Sequence, residues 1–422
     1  MADGTFGTAI PGYIPRFLID QGPITEVHAF WLAGMSCDGC SIAATGAQNP
    51  SVEQLLTAAI PGLPKVILHH PVLSVSAGKE FMKAHHAAKA GKLGAPYVVL
   101  YEGSVADERI ADRFGGYWSA MGSEETADGS HQPIPTARWL KELAPGAAAV
   151  IAVGTCATWG GVPAAAGNVT GSMSVMDYLG KDYLSALGLP PINIPGCAPV
   201  GDNITETIAS VLMFLVGVGP LPEFDELGRP AWMFNGTVHN RCVRAGHYEE
   251  GRFDNKYGQK GCLVELGCWG PVVQCNIVSR GAIGHMGGCM NTGGICIGCT
   301  MPGFPDKFAP FYKRPPGTMI SSTLSRGTGS FVTYLREFTK RSRNKTPLWS
   351  KTGEVPSGWA NVDAKGTFAD RTVGFFYERL KRAGTEFAPG STRQKALQAS
   401  ASSYLSKEPT APQNEPVKQA AE

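Results

Sequence analysis

The sequence lacks any run of apolar residues long enough to cross a membrane, which takes about 20 of them. Its longest apolar stretch, residues 208–218, is typical of a buried helix. It also lacks an excess of either charge, since 37 lysines and arginines stand against 35 aspartates and glutamates in 422 residues. A nucleic-acid-binding protein would show a basic stripe, so we expect no nucleic-acid partner.

The first 21 residues show no export signal, because a basic start, an apolar core and a twin-arginine pair are all missing. We therefore expect a cytoplasmic protein, which could associate with a membrane through partner proteins. In a reducing compartment, clustered thiols indicate metal or redox chemistry rather than disulfides.

Short apolar runs alternate with helical patterns through the first half of the chain, which predicts an α/β domain with a parallel sheet. The predicted strands cover residues 27–35, 65–69, 97–101, 148–153 and 192–194. Helices are predicted at residues 51–60 and 204–216, the second with Asp202 or Asn203 as its N-cap.

Composition divides the chain into four predicted regions. Residues 22–219 form the α/β domain. Residues 220–316 are rich in Gly, Cys and Pro with little regular secondary structure, a composition that bound metal clusters could stabilise in place of an apolar core. Residues 317–388 form a C-terminal extension with a predicted helix at residues 372–382. Residues 389–422 have the composition of a disordered tail.

Eleven cysteines and one histidine fall into three groups. The first set is Cys37, Cys40, Cys156 and Cys197; the second set is His239, Cys242, Cys262 and Cys268; the third set is Cys275, Cys289, Cys296 and Cys299. An iron–sulfur cluster takes four protein ligands, so these twelve residues match three clusters with no thiol left over.

The first set contains a CxxC pair, which alone would suit zinc or a redox dithiol as well as a cluster. Cys37, Cys156 and Cys197 each follow a predicted strand, and the carboxyl ends of parallel strands meet in one crevice, which favours a shared cluster site. Asp38 lies between the paired cysteines and could either bind iron itself or face the solvent.

The other two sets also have alternatives. The second set has the Cys3His composition of a structural zinc site, and a histidine ligand would raise the potential of a cluster bound there. Three thiols of the third set would be enough for a [3Fe–4S] cluster. Cys289 as a fourth ligand predicts [4Fe–4S], unless it is an inert thiol.

At these residues the chain resembles the small subunit of nickel–iron hydrogenases. The matching segments are WLAGMSCDGCS (31–41), VGTCATWGGVPAA (153–165), IPGCAPVGDN (194–203), HNRC (239–242), KGCLVELGCWGP (260–271) and GGICIGCTMPGFPDKFAPFY (293–312). Together they cover about residues 25–316 and include all three sets in order.

The resemblance implies a flavodoxin-like N-terminal domain and an iron–sulfur C-terminal domain. The first set would hold the proximal [4Fe–4S] cluster, the third set the medial cluster and the second set the distal cluster. The nickel–iron centre would lie in a separate large subunit, so no catalytic residue is expected in this chain. Electrons from H2 oxidation would pass through the three clusters to a quinone, cytochrome or other carrier, in a dimer of heterodimers or a larger assembly.

Some positions depart from the family pattern. Ile42 stands where many relatives have a glutamate, and Ala198 where many have a proline. Gly39 and Gly161 occupy the positions of two extra cysteines in oxygen-tolerant relatives, so a six-cysteine cluster is not expected. Asp38 and the long tail are similar to the cytoplasmic actinobacterial branch of uptake enzymes. A sensory hydrogenase and a zinc-stapled binding protein remain the alternative functions.

Overall fold

The computed structural model describes residues 24–308 apart from residue 181. The predicted helix at 372–382, the region 317–388 and the tail 389–422 therefore lie outside the described residues, as does the end of the region predicted for 220–316. None of the described helices has the length and apolar character needed to cross a membrane.

Five parallel strands form the central sheet, in the spatial order β2-β1-β3-β6-β7. The strands of the domain are β1 (Glu26–Ala33), β2 (Lys65–His69), β3 (Tyr97–Glu102), β4 (Ala120–Glu125), β5 (His131–Pro135), β6 (Ala149–Val153) and β7 (Ile192–Ile194). Without the β4–β5 pair this is the flavodoxin-like strand order, so the predicted α/β fold is confirmed.

The central strands are apolar because both faces of the sheet are covered. Every residue of β3 and β6 is buried. Trp31 packs in the core on one face of the sheet, and Phe30 and Leu32 pack in the core on the other. Each large side chain buried in this way contributes roughly 1.5–3 kcal/mol. Two-sided burial therefore explains why these strands read as continuous apolar runs.

Helices cover both faces of the sheet. They are α1 (Gly39–Thr45), α2 (Val52–Leu56), α3 (Gly78–Lys89), α4 (Glu108–Asp112), α5 (Thr136–Leu143), α6 (Gly154–Trp159), α7 (Val175–Leu179) and α8 (Gly201–Leu215). The helix predicted at residues 51–60 is shorter than expected. It begins behind a Ser51 capping box and ends at Leu56, and two residues later Ala58 has a left-handed backbone (φ 53°).

The predicted cap of α8 is wrong. The helix starts at Gly201, so Asp202 and Asn203 lie within its first turn. A Cβ at Gly201 would lie 2.1 Å from the carbonyl oxygen of Ala43, so close packing of α8 on α1 requires glycine there. Asp202 instead accepts hydrogen bonds from the backbone N–H of Gln48 (2.7 Å) and Asn49 (3.2 Å), which holds the loop after α1.

The antiparallel pair β4–β5 is a feature that the sequence did not indicate. Its strands are mostly polar and exposed, so they lack the apolar pattern used to recognise strands.

From residue 220 to residue 308 the described chain contains only short helical segments, as predicted. They are α9 (Ala231–Phe234), α10 (Val238–Arg241), α11 (Ala245–Glu249), a 3-10 turn (Leu263–Leu266) and α12 (Ile277–Arg280). A third core contains Trp269, Phe304 and Phe308 together with cysteines of the second and third sets. These aromatic side chains are buried within the chain itself.

A histidine-rich cluster packs between β1, β2 and α3. His28 Nδ1 lies 2.8 Å from His69 Nε2, and both rings stack near Phe30. His85 is fully buried and packs against Phe30. Burial lowers the pKa of His69 and of His85 to about 4, and it also lowers the pKa of His28.

We expect this cluster to make stability depend on pH. The folded chain binds these protons more weakly than the unfolded chain, whose histidines titrate near 6.5. The contribution of these histidines to the free energy of unfolding is therefore complete above about pH 6.5 and is lost as the pH falls toward 4. For His85 alone the loss is roughly 3 kcal/mol once the pH is below 4. Thermal unfolding between pH 7.5 and 5.5 should show a steeper loss for the native protein than for His85→Leu. Equal slopes would contradict the expectation.

Candidate functional site

The first set lies at the carboxyl edge of the sheet. Cys37 follows β1, Cys156 lies in α6 directly after β6, and Cys197 follows β7, while Cys40 lies in the first turn of α1. Burial raises the pKa of Cys40, and the charge of Glu102 and those of the other three thiols raise it further. The structure therefore brings the four predicted sulfurs together, as the strand pattern suggested.

Glycines make room around these sulfurs. A Cβ at Gly154 would lie 2.4 Å from Cys40 Sγ, and one at Gly161 would lie 2.7 Å from Cys156 Sγ. Both glycines also have positive φ, 87° and 57°. Only glycine leaves this space open, and the donor set beside it is the one that an iron–sulfur cluster uses. The residues present therefore fit such a cofactor.

Asp38 is exposed at the start of α1 and has a left-handed backbone, with φ 59°. Its backbone N–H donates to Ser36 Oγ at 3.0 Å. Its side chain makes no capping hydrogen bond to the helix. Coordination of iron by Asp38 stays a prediction.

The second set lines a small, partly open cavity of about 20 Å³. All four predicted donors, His239, Cys242, Cys262 and Cys268, are in its wall. His239 comes from α10 and is buried, with its ring 4.7 Å from that of Tyr248. One imidazole and three thiols around one cavity are donors that suit a metal cofactor.

In the third set, Cys275 and Cys296 are buried, Cys299 is half-buried and Cys289 is exposed. Burial, with a smaller contribution from the charge of Cys289, raises the pKa of Cys275 to about 11. Burial and the charges of Cys275 and Cys289 raise the pKa of Cys299. Burial and the charges of Cys299 and Cys275 likewise raise the pKa of Cys296. All four thiols therefore lie near one another, including Cys289, which is the most exposed of them.

Contacts between the sets give their spatial order. The hydroxyl of Thr155, the residue before Cys156 of the first set, donates to the carbonyl oxygen of Cys299 in the third. The backbone N–H of Cys296, also in the third set, donates to Cys268 Sγ in the second at 3.3 Å. The third set therefore lies between the other two, which the sequence order of the ligands does not reveal.

Backbone N–H groups surround several of the sulfurs. Cys242 Sγ accepts from Arg244 N at 3.4 Å, and Cys268 Sγ accepts from Gly270 N at 3.4 Å. Such hydrogen bonds stabilise thiolates and tune the potentials of metal–sulfur centres. Since burial raises the pKa of most of these thiols, metal binding would also release their protons.

A single metal ion suits these sites less well than a cluster. Within residues 24–308, no group of three or more His, Cys, Asp or Glu side chains is arranged to hold one ion. Tetrahedral zinc needs its sulfurs about 2.3 Å from the metal. Four donors per set instead match the ligand number of an iron–sulfur cluster.

Sequence reasoning missed a buried carboxylate beside the first set. Glu102, at the end of β3, is 1% exposed. Its oxygens accept hydrogen bonds from Trp31 Nε1 (2.8 Å), Cys40 N (3.0 Å) and Ser41 N (3.3 Å), and also from the hydroxyl of Ser41. A lone glutamate closing an apolar strand was the signal that could have identified it.

His70 completes this network. Its Nδ1 accepts from the backbone N–H of Val72 (3.1 Å) and Leu73 (3.2 Å), so its own proton lies on Nε2, 2.9 Å from Ser41 Oγ. Burial lowers the pKa of His70, in keeping with a neutral ring. The groups that donate hydrogen bonds to the Glu102 carboxylate are thus all neutral.

Arginines surround the second and third sets. Arg244 lines the cavity of the second set, and its charge acts against the burial that raises the pKa of Cys262. Arg229 and Arg241 act in the same way on Cys275. The two ends of the row of sulfurs therefore face charges of opposite sign.

Two family profiles match the chain. The profile for the C-terminal part of the NiFe/NiFeSe hydrogenase small subunit matches residues 234–312, which contain the second and third sets. The profile described as NADH ubiquinone oxidoreductase, 20 Kd subunit, matches residues 37–211, which contain the first set.

Known proteins resemble the chain over most of their length. It is 49% identical to the actinobacterial-type NiFe-hydrogenase from Ralstonia eutropha H16, and the two structures agree with a TM-score of 0.70 over 80% of this chain and 97% of that one. It is 32% identical to the periplasmic [NiFeSe] hydrogenase small subunit of Desulfomicrobium baculatum, over 68% of this chain and 87% of the relative. The F420 non-reducing hydrogenase II small subunit of Methanosarcina mazei is 30% identical, over 72% of this chain and 80% of the relative.

Proposed function

Since this chain belongs to the nickel–iron hydrogenase small-subunit family, we propose that it relays electrons in an uptake hydrogenase of the actinobacterial type. The observation that carries the proposal is the row of three four-donor sets, with the third set between the other two. Such a row gives electrons stepping points through a buried protein interior. The chemistry of H2 would belong to a large subunit.

Each set would hold one iron–sulfur cluster. The first set would bind the proximal cluster, the third the medial cluster and the second the distal cluster. Bound clusters supply one-electron storage, and we propose [4Fe–4S] at all three sites. This chain would hold the clusters, donate N–H groups to their sulfurs and exclude water from them.

The large subunit would cover the face around the first set. Cys37 and Cys197 are both exposed there. Ile42 on the neighbouring helix is 70% exposed, and Val72, in the loop that hydrogen-bonds to His70, is 66% exposed. Exposed apolar groups beside exposed cluster ligands favour a protein partner that excludes water.

Three finer features belong to the proposal. The acceptor would be a quinone, a cytochrome or another carrier reached from the second set. The complex would be a dimer of heterodimers or larger, and it would lie in the cytoplasm. Native mass, cell fractionation and acceptor assays on the purified complex test these features separately.

Purification of the native complex under anaerobic conditions tests the main proposal. We expect a second, larger polypeptide that carries nickel, H2-dependent reduction of a dye, and about twelve irons per copy of this chain. About three zincs per chain would instead support the zinc-stapled alternative. A nickel-bearing complex that signals to a kinase without turnover would support a sensory hydrogenase.

Replacing Cys289 by alanine tests the fourth ligand of the third set. We expect this set to hold a three-iron cluster, because three thiols remain and the fourth corner has no sulfur. The variant should lose about one iron per chain and gain the EPR signal of an oxidised three-iron cluster. An unchanged iron content and spectrum would show that Cys289 is not a ligand.

A further inference from the structure

The charged side chains nearest the three sets are distributed unevenly. Beside the first set lies a carboxylate, Glu102, which contacts the backbone N–H of Cys40 and is 1% exposed. Its partners at hydrogen-bond distance are Trp31, Ser41 and Cys40, none of which carries a positive charge. The nearby Asp38 is exposed and has the same sign. The negative charge at this site is therefore not neutralised by a neighbouring cation among these contacts.

The opposite end of the row carries a cation. Arg244 lines the cavity of the second set, its backbone N–H contacts Cys242 Sγ at 3.4 Å, and its side chain donates to the carbonyls of Gln259 (2.8 Å) and Gly261 (2.7 Å). These carbonyls hold the guanidinium in place. The nearest carboxylate oxygen of Asp254 is 3.9 Å away, so it offsets only part of this charge.

The third set has an intermediate environment. Arg229 is fully buried but is paired with Asp225 at 2.7 Å, which largely neutralises it. Arg241 hydrogen-bonds to Asn235 (2.7 Å) and Ser279 (3.4 Å), and within the described part of the chain it forms no ion pair. Its positive charge is therefore retained, although it is partly exposed and screened by solvent.

We propose that these fixed charges make the reduction potential increase from the cluster of the first set to the cluster of the second set. Electrons then move preferentially away from the first set, where Glu102 lies, toward the second set. An anion beside a cluster disfavours the added electron, whereas a cation favours it, and burial strengthens both effects because solvent cannot screen them. The inference rests on the proposed function. It adds residues that set the direction of electron flow without binding a cluster.

Two charge-removing variants of the intact hydrogenase complex test this inference. Glu102→Gln keeps the shape of the side chain and removes the anion near the first set. Arg244→Gln removes the cation near the second set, while Arg244→Lys keeps the charge. Glu125→Gln, on the exposed strand β4, is the matched control for loss of a remote charge. Redox titration followed by EPR measures the potential of each cluster separately.

We expect Glu102→Gln to raise the potential of one cluster only. At a fixed ambient potential its ratio of reduced to oxidised form should increase on the order of tenfold, which equals about 59 mV for one electron. Arg244→Gln should lower the potential of a different cluster by a similar factor. Arg244→Lys and Glu125→Gln should leave all three potentials close to those of the native complex.

Unchanged potentials in Glu102→Gln and Arg244→Gln would overturn the inference, even if all three clusters are present. If the Glu102→Gln variant does not assemble the cluster of the first set, the comparison of Arg244→Gln with Arg244→Lys tests the inference instead. Equal cluster potentials in these two variants would also overturn the inference. Absence of iron–sulfur signals from the native complex would be a different result, since it would refute the proposed function itself.

Discussion

Gly154→Ala is expected to abolish the cluster proposed for the first set, while the clusters proposed for the other two sets remain. The added methyl carbon would lie 2.4 Å from Cys40 Sγ and 3.6 Å from the carbonyl oxygen of Gly196. A free sulfur could rotate away from the methyl group, but a sulfur bound to iron cannot. The variant should therefore lose about four of its twelve irons, and H2-dependent dye reduction should fall to background.

Gly188→Ala separates this effect from backbone strain. Gly188 also has a positive φ (74°), but a Cβ there would meet nothing within 4 Å. Both alanines have the same unfavourable backbone, at a cost of about 1–2 kcal/mol, and only Gly154→Ala reaches a sulfur. Iron content by chemical analysis and EPR measures the difference. Retention of all irons in Gly154→Ala would contradict the placement of the cluster.

Arg229→Met should cause a large decrease in the free energy of unfolding. Arg229 is completely buried, and its Nε and Nη2 atoms lie 2.8 Å and 2.7 Å from Asp225 Oδ2. Its guanidinium also donates to Gln274 and lies 4.8 Å from the centre of the Phe234 ring. Removal of Arg229 leaves a largely buried carboxylate without a compensating charge, which costs about 3–5 kcal/mol.

The thermal midpoint of the purified complex, measured at a fixed heating rate, should decrease by roughly 6–12 °C. The double variant Asp225→Asn with Arg229→Met should recover much of this loss, because neither charge then remains buried. Arg113→Met, at an exposed position, should leave the midpoint nearly unchanged. If the single and double variants lost equal stability, the ion pair would not be the cause.

The strands and the thiol sets could be predicted because their signals are local. β2 and β7 lie where short apolar runs predicted them, at Lys65–His69 and Ile192–Ile194. Parallel pairing then brings the residues after β1, β6 and β7 to one edge. A strand pattern combined with one topological rule was enough to gather Cys37, Cys156 and Cys197.

The charged residues around the sulfurs could not be predicted in the same way. Glu102 is separated from Cys40 by 62 positions along the chain, and nothing in the spacing of either residue indicates their contact. The start of α8 was misplaced for a similar reason. Asp202 is a good capping residue locally, but packing against Ala43 moved the start to Gly201, and two distant backbone N–H groups took the carboxylate.

The amino-acid sequence by itself therefore determined the fold class and the donors available for metal, because apolar periodicity and cysteine spacing are properties of short segments. Only the tertiary structure decided that an anion borders one end of the row of sulfurs and a cation the other. These relations depend on contacts between residues far apart in the chain, and such contacts form only when the sheet and the loops after it pack together.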